Sequence, residues 1–234
     1  MRLYIIRHGD PDYAVDGLTE RGHLEAQALA KRMAALQPDQ LFVSPLGRAR
    51  ATARYSEEAL GRSSTVLDWV QEKSDWREEM PPWGRRVIWD IPGEVIREKT
   101  PPPLFDDWSD LEPIRGKGYP VKLKALQNDS DQFLDGLGYR REGGRYRILR
   151  PNRDKVAIFC HGGFGLTWIS HLLEIPVALV WSGFWLAPTS VTTILFDEAS
   201  NDWATPRCLG MCDVSHLYAE GLDVSTHGLK NNVD

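Results

Sequence analysis

At 234 residues and 42% hydrophobic content, the chain is long enough to bury one large core, and the reading is a single domain over residues 1–234 that carries an insertion. Its formal net charge of -5 excludes a general nucleic-acid binder, because affinity for a phosphate backbone needs a basic face, and no apolar run approaches the ~20 residues that cross a bilayer. A small anionic ligand stays compatible with that balance, since a few arginines can make a locally positive pocket on an acidic protein.

The three cysteines, Cys160, Cys208 and Cys212, are few and odd in number, so no disulfide framework is expected. Together with His216 they match no strong metal-ligand spacing, and neither a metal nor a cofactor is expected. Nothing ahead of the first strand reads as a secretory leader, which makes the cytoplasm the expected location. Oligomeric state is not legible.

Taken in order, the apolar run Leu3 to Ile6 predicts a strand buried on both faces, ending in Arg7-His8-Gly9. The carboxyl end of such a strand is where open α/β sheets place ligands. His8 offers a nucleophilic ring nitrogen, Arg7 a fork that fits phosphate oxygens, and Gly9 no Cβ to block close approach. Residues 10–17, with Pro11 and three aspartates, read as a loop. Thr19 then predicts an N-cap for a helix whose stripe is Ala26, Leu29, Ala30 and Met33, with Pro38 beyond its end.

A short strand, Leu41 to Val43, leads through Ser44-Pro45-Leu46-Gly47-Arg48 into a helix with a stripe of small residues, Ala49, Thr52, Ala53 and Ser56. Arg48 falls in its first turn, beside unpaired amides and the positive dipole end, whereas Arg50 and Arg54 read as solvated charges. Thr65 to Val70 predicts a further strand, with Gln71-Glu72 at its exit. From about 73 to 128 the pattern dissolves into prolines, glycines and tryptophans, with Trp69, Trp76, Trp83, Trp89 and Trp108 in or beside the segment; this reads as an inserted lid.

Leu126, Phe133, Leu134 and Leu137 predict a helix closed by Gly138, and residues 139–149 a hairpin around Gly143-Gly144. Val156 to Cys160 is a second fully apolar strand, and it too ends in histidine and glycine, His161-Gly162-Gly163, ahead of a helix bearing Leu166, Ile169, Leu172 and Leu173. The Gly162 and Gly163 amides at that helix start favour an anion. A strand from Val191 to Phe196 follows, and the tail from Asp197 reads as irregular and polar. His23, His171 and His227 read as helix surface or tail with no role, and His216 as a capping or packing histidine.

Arg7-His8-Gly9, Leu18-Thr19-Glu20-Arg21-Gly22, Ser44 to Ala49 with Thr52-Ala53, and His161-Gly162-Gly163 together resemble the histidine phosphatase superfamily, relatives of phosphoglycerate mutase. The resemblance implies a three-layer α/β/α sandwich with a mainly parallel sheet, a phosphohistidine intermediate and no metal. By position, His8 matches the nucleophile, Arg7 and Arg48 the phosphate clamp, and His161 the second histidine, with the Gly162 amide also facing phosphate. In-line attack by neutral His8 would be supported by these donors on the equatorial oxygens.

An alkoxide leaving group needs a proton and the later hydrolysis an activated water, so one carboxyl group should serve as acid and then base. Glu72 holds the position of that glutamate in the branch resembled; Asp75, Glu78 and Glu79 are the rivals. Pro11 and Ala14 replace residues that mutases use near phosphate, which favours a metal-independent phosphomonoesterase on a small organic phosphate. A mutase-like phosphotransferase, or a phosphate-binding module without turnover, is the alternative. Asp10 and Asp12 are expected to place negative charge near the mouth, and Arg77, Arg85 and Arg86 with the tryptophans of the insertion are candidates to pair with or stack on the leaving group.

Overall fold

In the computed structural model, which describes residues 1–98, 100–229 and 232, an eight-stranded sheet lies between two layers of helices. The first half of the chain runs β1 (Arg2–Arg7), a small ladder of β2 (Pro11–Asp12) and β3 (Gly17–Leu18), α1 (Glu20–Leu36), β4 (Gln40–Val43), α2 (Gly47–Leu60) and β5 (Thr65–Val66). The insertion holds a hairpin of β6 (Arg77–Glu79) and β7 (Arg85–Val87), then α3 (Gly93–Arg97). The second half is α4 (Tyr119–Gly136), the hairpin β8 (Tyr139–Glu142) and β9 (Arg145–Ile148), β10 (Lys155–Cys160), α5 (Gly162–Leu173), α6 (Val177–Gly183), β11 (Val191–Asp197), β12 (Trp203–Asp213) and α7 (Ser215–Ala219).

The spatial order is β5-β4-β10-β1-β11-β12-β9-β8. β5, β4, β10 and β1 pair in parallel and the remaining neighbours antiparallel, so six of the eight strands point one way and only β11 and β9 are reversed. Alternation along β1 divides the core into its two layers. Leu3 and Ile5 pack with Val156, Ile158, Leu166 and Ile169 on the α4–α5–α6 side, while Tyr4 and Ile6 meet Leu29, Met33, Ala49 and Ala53 of α1 and α2. The small stripe of α2 seats it against the sheet, as its spacing predicts, and Thr19 caps α1 by accepting from the Gly22 amide. Among the described residues no helix is long and apolar enough to cross a membrane.

Three expectations are corrected. Only Thr65 and Val66 of the Thr65–Val70 run join the sheet; both are exposed on its edge, and Asp68–Val70 coil into a 3-10 turn that buries Val70 instead. The tail is not irregular: β12 pairs with β11 from Thr205 to Asp213, with Pro206 in regular register opposite Phe196 and register shifts on either side of Gly210; these two residues mask it as a strand. And the irregular stretch stops at 118, because α4 begins at Tyr119 with Pro120 in its first turn.

The segment from 73 to 118 is packed rather than loose. Trp76, Met80, Ile88, Ile96 and Trp108 are buried in the same cluster as the α4–α5–α6 layer, so all five tryptophans named above serve packing: Trp76 and Trp108 fully, Trp69, Trp83 and Trp89 in part.

Candidate active site

β1 and β10 are adjacent, parallel and in register from Arg2 opposite Lys155 to Arg7 opposite Cys160, so the residues that follow them emerge side by side. Those residues are His8 and His161, with ring centroids 5.1 Å apart. β4 lies on the other side of β10 and ends with Val43 opposite Phe159, which carries Ser44 Oγ to 2.7 Å from His161 Nε2. The twin strand-histidine-glycine pattern in the sequence is thus the signature of two neighbouring strand ends.

His8 is 2% exposed, and its Nδ1 lies 2.7 Å from the Gly9 carbonyl. A carbonyl only accepts, so the hydrogen sits on Nδ1 and Nε2 keeps its lone pair. Arg48 Nε donates towards that Nε2 at 3.3 Å. Burial, reinforced by the Arg7 cation, lowers the His8 pKa well below the usual imidazole value, and burial with His8 beside it does the same for His161. Both rings are held neutral. His161 is fully buried and its Nδ1 has no hydrogen-bond partner among the described residues.

Arg7 points its guanidinium at the carbonyls of Leu186 and His227, while its Nε is buried and unpartnered among the described residues. Arg48 sits in the first turn of α2, where Asp16 accepts from its guanidinium and, at 2.6 Å, from the Gly47 amide; the Tyr13 ring lies 5.4 Å from the Arg48 guanidinium carbon. Glu72 reaches the start of α5, its two oxygens accepting from the Gly163 amide at 3.0 Å and the Phe164 amide at 2.7 Å. Burial raises the Glu72 pKa above the ordinary carboxyl value; the two amides and the nearby arginines oppose that shift without cancelling it.

Arg7, His8, Arg48, Glu72 and Gly162 all line one cavity of about 710 Å³, within the range that holds a drug-sized ligand. His161 stands beside His8 behind that wall and does not line the cavity itself. The rival acids do not reach it. Glu78 is held by Lys117 and Tyr119, Asp75 pairs with Lys122, and Glu79 is exposed. Asp10 and Asp12 do not line the cavity: Asp10 accepts from Thr19 and Ser225 and lies 3.6 Å from Nδ1 of His227, and Asp12 accepts from the Ala14 amide.

Of the tryptophans of the insertion, Trp89 alone lines the cavity, lying against Gly163 so closely that a Cβ there would fall 2.2 Å from Trp89 Cε2. Arg77, Arg85 and Arg86 do line it, as expected, and no group of three or more His, Cys, Asp or Glu among the described residues is placed to hold a metal ion.

The sequence reading missed several residues that complete the site. Asp16, two residues before a Leu-Thr helix start, carries no signal of its own, and Ser44 shows its partner only once β4 is known to flank β10. His227 is not an idle tail residue: with Gly228 it lines the cavity, and its carbonyl receives Arg7. His171 is not on a helix surface but buried against Asp131, whereas His216 is the packing histidine expected, 3.2 Å from Thr189 Oγ1.

This arrangement defines the class of protein. The model of the histidine phosphatase superfamily (branch 1) matches residues 3–207, and the chain belongs to that family. Among its relatives is the adenosylcobalamin/alpha-ribazole phosphatase of Salmonella typhi, 25% identical over 190 residues, covering 77% of this chain and 84% of that protein. A 2,3-bisphosphoglycerate-dependent phosphoglycerate mutase of Brucella anthropi is 32% identical over 87 residues, only 32% of this chain and 42% of that protein. The fold is shared with a phosphoserine phosphatase of Entamoeba histolytica crystallised with phosphoserine, at TM-score 0.62 and 19% identity over 92% of this chain and 98% of that one. A mycobacterial glucosyl-3-phosphoglycerate phosphatase superimposes at TM-score 0.54 and 21% identity, over 88% and 96% of the two chains.

Proposed function

We propose that this chain is a metal-independent phosphomonoesterase that hydrolyses a small organic phosphate through a phosphohistidine on His8. The observation that carries the reading is the state of His8: a neutral ring on the cavity wall, hydrogen fixed on Nδ1, and Nε2 keeping its lone pair, with Arg48 Nε 3.3 Å away.

In the first step Nε2 attacks phosphorus and the bond to the leaving oxygen breaks, while Glu72, whose raised pKa suits an acid, gives its proton to that oxygen. Glu72 Oε1 accepts from the Phe164 and Lys73 amides, whereas Oε2 accepts from the Gly163 amide alone and retains a site for the proton. In the second step Glu72 takes a proton from water, the hydroxide oxygen bonds to phosphorus and the P–N bond breaks, returning His8 neutral. Arg7, Arg48 and the Gly162 amide, all on the cavity wall, hold the equatorial oxygens, and the unpartnered Arg7 Nε supports that assignment, being a buried polar atom that a phosphoryl group would satisfy; His161 acts from beside His8, its Nδ1 likewise unpartnered among the described residues. The insertion, from about 73 to where α4 begins, supplies the leaving-group side of the cavity.

A phosphoserine phosphatase, an adenosylcobalamin/alpha-ribazole phosphatase and a glucosyl-3-phosphoglycerate phosphatase stand among the similar proteins, in keeping with water as the acceptor. The mutase match covers a third of the chain, and Pro11 and Ala14 stand where mutases hold phosphate-contacting groups. The test is phosphate release from a panel of phosphomonoesters with EDTA present, for the parent and His8→Ala. Activity that survives chelation and vanishes in the variant supports the reading. Transfer only to acceptor alcohols would favour the mutase, and activity that EDTA abolishes would refute metal independence.

A further inference from the structure

Away from the phosphate end, the cavity wall carries more positive charge than one phosphoryl group needs. Arg77, Arg85 and Arg86, all from the β6–β7 hairpin, line it together, and besides Glu72 the same lining holds one other carboxylate, that of Asp90. None of the three guanidiniums forms an ion pair among the described residues. Arg77 Nε and Arg86 Nε each donate to a backbone carbonyl, of Ser74 and Trp83, which fixes the stems and leaves the terminal nitrogens for another partner. Glu78, opposite Arg86 in the hairpin, is instead turned to Lys117 and Tyr119.

Glu79 stands opposite Arg85 in the hairpin, but neither it nor Glu78 lines the cavity, so the three arginines present that wall with a positive charge that an anionic ligand would match. Between this hairpin and the phosphate end stands Trp89, two residues beyond β7 and seated on Gly163 at the start of α5. Its indole offers an apolar wall to the middle of a ligand. In the same lining, Ser182 Oγ and Trp185 Nε1 are buried donors without partners among the described residues.

We infer that Arg77, Arg85 and Arg86 form a second anion subsite, and that the substrate is a phosphomonoester whose leaving group carries a further carboxylate or phosphate at its far end. The inference rests on the reading of the His8 end as the phosphate site. Charge-assisted bonds to a planar guanidinium pair are strong enough that the second anion should tighten binding about tenfold or more.

The experiment is calorimetric titration of the parent protein at low ionic strength with non-hydrolysable probes: benzylphosphonate, its 4-carboxy and 4-phosphonomethyl derivatives, and the neutral 4-carboxamide. The expected result is tenfold or tighter binding of one or both charged derivatives over benzylphosphonate, no gain for the carboxamide, and a ratio below about threefold in the Arg85→Ala/Arg86→Ala variant. Which charged derivative gains more separates a carboxylate from a phosphate preference. Equal binding of all probes by the parent overturns the inference without recourse to any variant, as does a ratio that persists when all three arginines are replaced. Phosphate release from phenyl phosphate alongside equal probe binding removes the subsite and leaves the phosphatase reading standing; no release and no binding of any probe removes both.

Discussion

Replacing Glu72 by Gln removes the transferable proton and one acceptor while preserving the shape of the side chain. In the parent both carboxyl oxygens accept from α5, at 3.0 Å from Gly163 and 2.7 Å from Phe164. Gln has a single oxygen, so its NH2 must face one of those amides, and a buried donor left unpaired costs about 1–3 kcal/mol. That is the structural effect, read as a shift of the urea midpoint. The chemical effect is separate. Gln cannot protonate a leaving oxygen, and general acid catalysis contributes typically about 10²–10⁴-fold, which is ~3–5 kcal/mol of barrier. An alkyl phosphate should therefore lose about 10²-fold or more in kcat, whereas p-nitrophenyl phosphate, whose leaving group needs no proton, should lose less than about tenfold in the phosphorylation step. Rapid-quench kinetics on both esters makes the comparison. Equal losses would mean that the Glu72→Gln change acts only by disturbing α5, and would refute Glu72 as the acid.

Ser44→Ala leaves His161 Nε2, already fully buried, without its partner at 2.7 Å; a loss of about 1–3 kcal/mol in urea unfolding is expected, with a larger KM, and unchanged stability would contradict the pairing. Gly163→Ala puts a methyl 2.2 Å from Trp89 Cε2, so the indole must move; about 1–3 kcal/mol of destabilisation and altered Trp fluorescence are expected, and a silent variant would contradict that packing. Neutral His8 is retained to pH well below 6.5 and protonated Glu72 to pH above 4.5, so kcat/KM for alkyl phosphates should fall as pH drops through the His8 pKa and fall again as pH rises past that of Glu72; Glu72→Gln should lose the alkaline limb only, and its survival would point to another acid. Burial holds His216 at a pKa of about 4 against 6.5, so between those values the unfolded chain binds a proton that the fold does not, and stability should fall by up to about 3 kcal/mol as pH drops across that window. His216→Asn should remove its share of that slope and leave the shares of buried His8 and His161; an unaltered slope would contradict a buried neutral ring.

What was legible in the sequence divides along a physical line. Strand ends that place polar groups beyond an unbroken apolar run are readable, because burial on both faces leaves no other pattern; His8 and His161 are located this way, and the register of β1 on β10 makes them neighbours. Helices with a one-sided stripe and a cap are equally readable, as α1 shows, and the stripe alone suffices for α2. β12 is not, because Pro206 and Gly210 disguise it and the register shifts around Gly210 exist only against β11. Nor are Asp16, Ser44 and the His227 carbonyl, whose roles depend on partners 32, 117 and 220 residues away in the chain. The tryptophans of the insertion show the converse: aromatic content marks a packed region, and only its place on the cavity wall, against Gly163, sets Trp89 apart from the others that pack on the core.

The central claim is that phosphorus passes through His8. It is tested most directly by mixing the protein with a phosphomonoester, quenching in alkali within one turnover, and mapping the phosphorylated peptide by mass spectrometry. The account predicts a phosphoryl group on Nε2 of His8 that decays as phosphate appears, and none in His8→Ala. Turnover with no label on His8 at any quench time, or with label on another residue, would contradict it.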